Sequence, residues 1–512
     1  MTTAQICILT AIVLYMAIIV AVGVIYSKKN KNADDFYLGG RQLGPIVTAM
    51  SAEASDMSSW LLMGLPGVAY ISGVADAAWT AIGLAIGTYL NWLFVAKRLR
   101  RYSVKVGNAI TIPEFFKKRY RDESNVLICI AAIVILVFFI PYTASGFAAC
   151  GKLFSSLFGI DYMVAMLISA LVIVFYTMLG GFLAASTTDL IQSVVMTIAL
   201  IVVVGFGIRM AGGWDMVAAN ANAIPGYLSM THMGNVVTKE VGDYGLITII
   251  STLAWGLGYF GMPHILLRFM AIRDENKIAM SRRIASVWVV ISMAVAILIG
   301  IVGYGVSQAG AITFFETSSD AERTVIALAQ LLSENGIAFA LIAGVILAGI
   351  LACTMSTSDS QLLAASSAFS QNLLVDVFGC KISEKGKILA ARTTVIAISL
   401  LSIFIARNPN SSVFSIVSFA WAGFGAAFGP VMLFSLFWRR TNRQGAIAGM
   451  IAGGVMVFLW KYLVRPLGGV WNVYELLPAF LVACVVIVLV SLATKEPSEE
   501  IVKEFDEVAA GK

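Results

Sequence analysis

Apolar residues run in blocks of about 20 from one end of this chain to the other, parted by short polar stretches. Roughly thirteen blocks are present, near 5–26, 46–71, 75–97, 125–156, 161–183, 187–211, 244–271, 284–308, 336–371, 387–407, 411–437, 444–464 and 474–494. A block of that length crosses the hydrocarbon of a bilayer as one α-helix. The pattern predicts an all-α membrane protein with about 13 transmembrane helices, a single domain over residues 1–512. The first block is followed by Ser27, Lys28 and Lys29 with no small-residue cleavage site, so it reads as a retained helix.

Two blocks break the pattern. The second carries Glu53, Asp56, several hydroxyls, Gly64, Pro66 and Gly67 where a membrane helix is usually plain Leu and Val. The seventh carries Gly256, Gly258, Gly261 and Pro263 within one short stretch, which does not hold a continuous helix. Backbone freed at membrane depth survives only where protein buries it or a cavity faces it. The two broken spans lie five apart, so each begins on the opposite side of the membrane. That is the pattern of a 5+5 inverted repeat whose first helix is broken in each half, with the substrate site between the breaks. The expected divisions are an extra N-terminal helix at 5–26, a first repeat at 46–211, a second at 244–437, two extra helices at 444–494 and a tail at 495–512.

Charge fixes the orientation. The chain is 59% hydrophobic and only 12% charged, about half the charge of a soluble protein. Most of its 35 Lys and Arg fall in alternate loops: Lys28, Lys29, Lys31 and Arg41; 97–121; 268–283; 381–392; 439–443; and the tail. By the positive-inside rule the N-terminus is outside and the C-terminus in the cytoplasm, across a cell membrane. The net charge of +6 is then a topology signal and gives no support to nucleic-acid binding. Six scattered cysteines and two distant histidines, His232 and His264, form neither a disulfide framework nor a metal cluster. No nucleophile–base motif points to an enzyme, and no obligate protein partner is evident. The stretch 112–120, Ile-Pro-Glu-Phe-Phe-Lys-Lys-Arg-Tyr, is amphipathic and is expected at the membrane surface.

Four constellations carry chemistry. At the first break, carbonyls of Ala54 and Met57 are placed to face a hard cation, and N–H groups near Ser58 and Ser59 an anionic substrate group. The alternative is a Ser/Gly-rich packing face with Asp56 satisfied by a neighbour. Trp255, Tyr259 and Pro263 recur at helical spacing and either wall a pocket or pack in a kinked helix. The run 354–361 places Ser356 and Thr357 side by side, a start on an oxygen shell for Na⁺, unless the hydroxyls only bond back within the helix. Ser186, Thr187, Thr188 and Asp189 mark either an ion exit at the cytoplasmic mouth of the sixth span or a helix N-cap.

These residues, with Tyr37 to Arg41, Leu43-Gly44-Pro45, Ala54 to Ser58, Trp60 to Gly67, Trp255 to Gly261, Pro263-His264, Met355-Ser356-Thr357 and Trp421 to Pro430, resemble the sodium:solute symporter family over nearly the whole chain. The resemblance implies a LeuT-type core and Na⁺-coupled import of L-proline. It implies Na⁺ held by carbonyls of Ala54, Met57 and Cys353 and hydroxyls of Ser356 and Thr357. It also implies a carboxylate at Asp56 needed for Na⁺-dependent binding, and one at Asp189 on the inner cation path. Proline would sit near Ser58, Ser59, Tyr142, Trp255, Tyr259 and Pro263. The chain departs from the family pattern at Glu53 and Ser59, where relatives have Gly, at Met262, where they have Gln, and at Cys353, where Ala is usual. Glu53 adds an acid one turn from Asp56 and raises the question of H⁺. The competing expectation is therefore a Na⁺- or H⁺-coupled carrier of another small carboxylate such as pantothenate. A channel needs a continuous polar pore, and a sensor an appended signalling domain; neither is written in the sequence.

Overall fold

The computed structural model describes residues 1–28 and 33–511, most of them helical. Lys29, Lys31 and Lys512, which the charge argument used, lie outside the described residues. Among the described residues, 10 helices are long and apolar enough to span a membrane. The count becomes 11 when Leu246–Gly261 and Pro263–Ala271, bent by 47°, are taken as one span. The expected count of about 13 is not reached by length and composition, for two visible reasons. The span at 46–71 is in two pieces, Pro45–Asp56 and Leu65–Ser72, each too short alone. The spans expected at 161–183 and 187–211 form one helical run, Tyr162–Met210, interrupted at Gly181. There φ is 71° and ψ −177°, a conformation only glycine adopts without strain. The piece before it, Tyr162–Met178, falls among the shorter apolar helices.

Burial sorts the helices into core and rim. Ile337–Ser367 and Val413–Phe437 are mostly enclosed and are the axis of the bundle. The first packs against Tyr162–Met210, Thr3–Ser27 and Val126–Phe158. Thr3–Ser27 turns Ile6, Val13, Leu14 and Ile18 outward, as lipid-facing helices do.

The loops expected on one face of the membrane do meet one another. Arg41 bonds to the Met270 and Ala109 carbonyls, and Arg101 to Glu275. On the other face, Lys152 reaches Glu322 at 2.6 Å and the Ser411 carbonyl at 2.8 Å. The tail forms a helix, Glu499–Ala509, on the first of these faces. It seats Ile501, Phe505 and Val508 and pairs Glu504, Asp506 and Glu507 with Arg121, Arg439 and Lys105.

One sequence expectation needs correcting. Ile112–Arg119 does form a helix, capped by the Thr111 hydroxyl at the Glu114 N–H. Its apolar face meets protein and not the membrane surface. Phe115 and Phe116 are fully buried, packed on Tyr102 and Phe428. Even Arg119 is enclosed, lying over the Tyr102 ring.

Candidate functional site

The first break is made by local chemistry. The Ser55 hydroxyl bonds back to the Ala52 carbonyl, and helix Pro45–Asp56 ends as Met57 leaves helical backbone at φ −72°, ψ 69°. The chain resumes through a wide π-type turn, Trp60–Gly64, before Leu65–Ser72. Pro66 at the start of that helix lacks the N–H a regular turn would need there. The Asp56 carbonyl, free at the helix end, takes the Trp60 indole N–H at 3.0 Å and the Tyr142 hydroxyl at 3.4 Å.

The second break is a tight 3₁₀ turn, Ala254–Gly261, followed by Pro263–Ala271 with Pro263 in its first turn. Its glycines are required by crowding. A Cβ on Gly258 would lie 1.9 Å from the Trp421 indole nitrogen, and one on Gly261 would lie 2.2 Å from the Phe424 carbonyl. The turn delivers Tyr259 to the first break, where its hydroxyl donates to Asp56 Oδ2 at 2.5 Å. Trp255 faces a different aromatic group: it stacks on Tyr474 with centroids 5.2 Å apart, and its carbonyl holds the Trp421 indole N–H at 2.7 Å.

Helix Ile337–Ser367 closes the site from the other side. The Ser356 hydroxyl lies 2.7 Å from the Ala54 carbonyl and 3.1 Å from the Cys353 carbonyl, and Thr357 Oγ1 lies 3.5 Å from the Ala54 carbonyl. Four of the five residues expected to hold Na⁺ are therefore together, and Met57 stands at the helix end beside them. The donor set is backbone carbonyls and neutral hydroxyls, hard oxygens that suit a monovalent alkali ion. The two alternatives offered for Ser356 merge here, since the hydroxyl bonds back within its helix and also crosses to the break.

Of the expected substrate residues, Ser58, Tyr142 and Tyr259 gather around Asp56. Ser59 is buried with its hydroxyl unpartnered, and Met262 is wholly buried just before Pro263. Trp255 lies on the 3₁₀ turn and Pro263 begins the helix after it.

Asp189 lies within a helix and not at its start. Its helix runs on from Gly181, so Ser186 to Thr188 are not an N-cap; Thr187 and Thr188 bond back to the Leu183 and Ala184 carbonyls. Asp189 is fully buried, and its Oδ2 takes the Ser51 hydroxyl at 2.6 Å and Arg268 at 3.2 Å. Arg268 also reaches Ser360 Oγ at 2.5 Å and the His264 carbonyl at 2.7 Å. This residue was counted only as a loop charge. A lone Arg among Ile265, Leu266, Leu267, Phe269 and Met270 was the signal that it is an intramembrane group with a partner. Lys152 is buried against Glu322. Glu53 finds a donor the sequence did not point to, the Trp92 indole N–H at 2.9 Å.

The sodium:solute symporter family model matches residues 36–453. The chain is 41% identical over 497 residues to the sodium/proline symporter of Escherichia coli (strain K12), covering 97% of this chain and 95% of that one. It is 38% identical over 503 residues to a sodium/proline symporter of Staphylococcus aureus, covering 97% and 94%. Among solved structures, a Na⁺-coupled sialic acid symporter in a substrate-bound outward-open state superposes with TM-score 0.78 at 19% identity, over 96% of this chain and 99% of that one. MhsT in complex with L-phenylalanine superposes with TM-score 0.55 at 14% identity, over 88% and 99%. With a family model across most of its length and full-length relatives at this identity, the chain belongs to the sodium:solute symporter family.

Proposed function

We propose that this protein imports L-proline together with Na⁺ by alternating access, without chemical conversion of the solute. The observation that carries the reading is the junction at the first break, where the Ala54 carbonyl meets the Ser356 and Thr357 hydroxyls. Na⁺ is held by Ala54, Met57, Cys353, Ser356 and Thr357. Proline lies against Ser58, Ser59, Tyr142, Tyr259, Trp255 and Pro263, with Asp56 between ion and solute and Asp189 on the inward path of the ion. Ordering the end of helix Pro45–Asp56 by Na⁺ preforms the proline site, and the coupling is reciprocal. One inward charge adds about 2.3 kcal/mol per 100 mV to the Na⁺ gradient. The repeats run 46–211 and 244–437, with the N-terminus outside the cell membrane and the tail helix in the cytoplasm. The loops rich in Lys and Arg support that orientation, since they lie together on one face.

Full-length relatives named sodium/proline symporter support the solute. A second reading, another small carboxylate or amino acid, is favoured by two observations: the unpartnered Ser59 hydroxyl at the first break and the buried Met262 at the second. Labelled L-proline uptake into proteoliposomes separates the readings. Uptake under an inward Na⁺ gradient, but not an equal K⁺ or H⁺ gradient, and lost in Asp56→Ala, is expected. Absence of proline uptake under every gradient overturns the solute and directs attention to Ser59 and Met262.

A further inference from the structure

Glu53 and Asp56 lie one turn apart on helix Pro45–Asp56, both fully buried. Each carboxylate has one oxygen satisfied: the Trp92 indole donates to Glu53 Oε1 at 2.9 Å, and the Tyr259 hydroxyl to Asp56 Oδ2 at 2.5 Å. The other oxygens, Glu53 Oε2 and Asp56 Oδ1, have no hydrogen-bond partner. Opposite them, helix Val74–Leu90 and the π turn Asn91–Val95 bring Thr88, Asn91 and Trp92 to one face at helical spacing. This helix approaches the second break closely: a Cβ on Gly87 would lie 2.2 Å from the Gly256 carbonyl. The Thr88 hydroxyl and the Asn91 carbonyl oxygen are also buried and unpartnered. The Asn91 amide N–H is already spent on the Tyr259 carbonyl at 3.0 Å.

The Trp92 indole and Tyr259 phenol donors and one Asn91 amide N–H are thus committed, and the unpartnered atoms of the cluster are the oxygens Glu53 Oε2, Asp56 Oδ1, Thr88 Oγ1 and Asn91 Oδ1. No Lys or Arg forms an ion pair with Glu53 or Asp56 among the described residues. Two buried carboxylates without a counter-charge are costly, and a cation held between them removes most of that cost. Carboxylate, hydroxyl and amide oxygens are the ligands a hard ion takes. The Ser356–Thr357 junction uses the Ala54 carbonyl and none of these four oxygens, so the two oxygen sets share no ligand atom.

We propose that Glu53 Oε2, Asp56 Oδ1, Thr88 Oγ1 and Asn91 Oδ1 form a second alkali-cation site, so that this transporter moves two Na⁺ with each solute. The inference rests on Na⁺-coupled transport and adds its stoichiometry.

The test is the coupling ratio of the full-length protein in proteoliposomes, read from the membrane potential at which net solute flux stops under fixed Na⁺ and solute gradients. The expected ratio is two Na⁺ per solute in the wild type and one in Glu53→Gln. At zero potential and a tenfold Na⁺ gradient, maximal accumulation should fall from about 100-fold to about tenfold, each ion contributing a factor of about 10. Thr88→Ala, which leaves both acids, should raise the half-saturating Na⁺ concentration without changing the ratio. A wild-type ratio of one overturns the second site and leaves the Na⁺-coupled reading standing, and this result needs no variant to fold. Flux that does not respond to Na⁺ at all overturns the coupling itself, a distinguishable outcome.

Discussion

The Ser356 hydroxyl lies 2.7 Å from the Ala54 carbonyl, across 302 residues of sequence. That single bond ties the end of a broken helix to an unbroken one, and it uses a carbonyl that the helix has left free. An ion that takes up both oxygens replaces the bond by coordination and keeps the two helices registered.

Removing the hydroxyl should therefore weaken Na⁺ more than it weakens the fold. Ser356→Ala is expected to raise the Na⁺ concentration for half-maximal uptake by about fivefold to 150-fold, from ~1–3 kcal/mol of lost ligation. Ser356→Thr should largely restore it. Thermal unfolding in detergent, run with and without Na⁺, checks the point: the mutant should lose most of the Na⁺-induced rise in Tm.

Tyr259 and Asp56 should behave as one unit. The hydroxyl-to-carboxylate bond is short and buried, so Tyr259→Phe strips a donor from a carboxylate that already has one bare oxygen. A loss of ~1.5–3 kcal/mol in solute binding is expected. Asp56→Asn with Tyr259→Phe should cost less than the sum of the single changes. Strict additivity in scintillation-proximity binding of labelled solute would show that the two act separately.

Arg268 and Asp189 make a buried ion pair whose halves are unequal in consequence. Arg268→Ala leaves Asp189 enclosed without its cation and is expected to cost about 3–5 kcal/mol. The double change to Arg268→Met with Asp189→Asn should recover much of that stability while transport stays impaired. Arg268→Lys should not rescue, because the guanidinium reaches Ser51, Ser360, Asp189 and the His264 carbonyl together. Denaturation midpoints for the three variants decide this.

Gly258 tests the crowding at the second break. Gly258→Ala places a methyl 1.9 Å from the Trp421 indole nitrogen, so the 3₁₀ turn must shift and carry Tyr259 off Asp56. Loss of uptake with the protein still reaching the membrane is expected. Gly245→Ala, where a Cβ meets nothing within 4 Å, is the control and should transport normally.

The breaks were legible because glycine, proline and hydroxyls in an apolar block have few other meanings. The division between the spans at 161–183 and 187–211 was legible, but it was placed a few residues late because the Gly180-Gly181 pair was not weighed as the break. Ser356 and Thr357 were legible as a pair, but their meeting with Ala54 depends on how distant helices cross. Partners such as Trp92 for Glu53 and Arg268 for Asp189 were not legible for the same reason: periodicity gives the face of a helix, not what that face meets. The helix Ile112–Arg119 misled because an amphipathic pattern is identical whether its apolar side meets lipid or protein.

The tail helix Glu499–Ala509 links Lys105 and Arg121, from the loop after the third span, to Arg439, from the loop after the eleventh. These pairs are largely solvated, so each contributes little and salt weakens it. Beneath them Arg98 stands 4.9 Å from both the Phe437 and Phe505 rings, a contact that salt screens much less. The strap therefore has two grips of different kinds: an outer one that loosens as ionic strength rises, and an inner one that keeps the tail in place while it does.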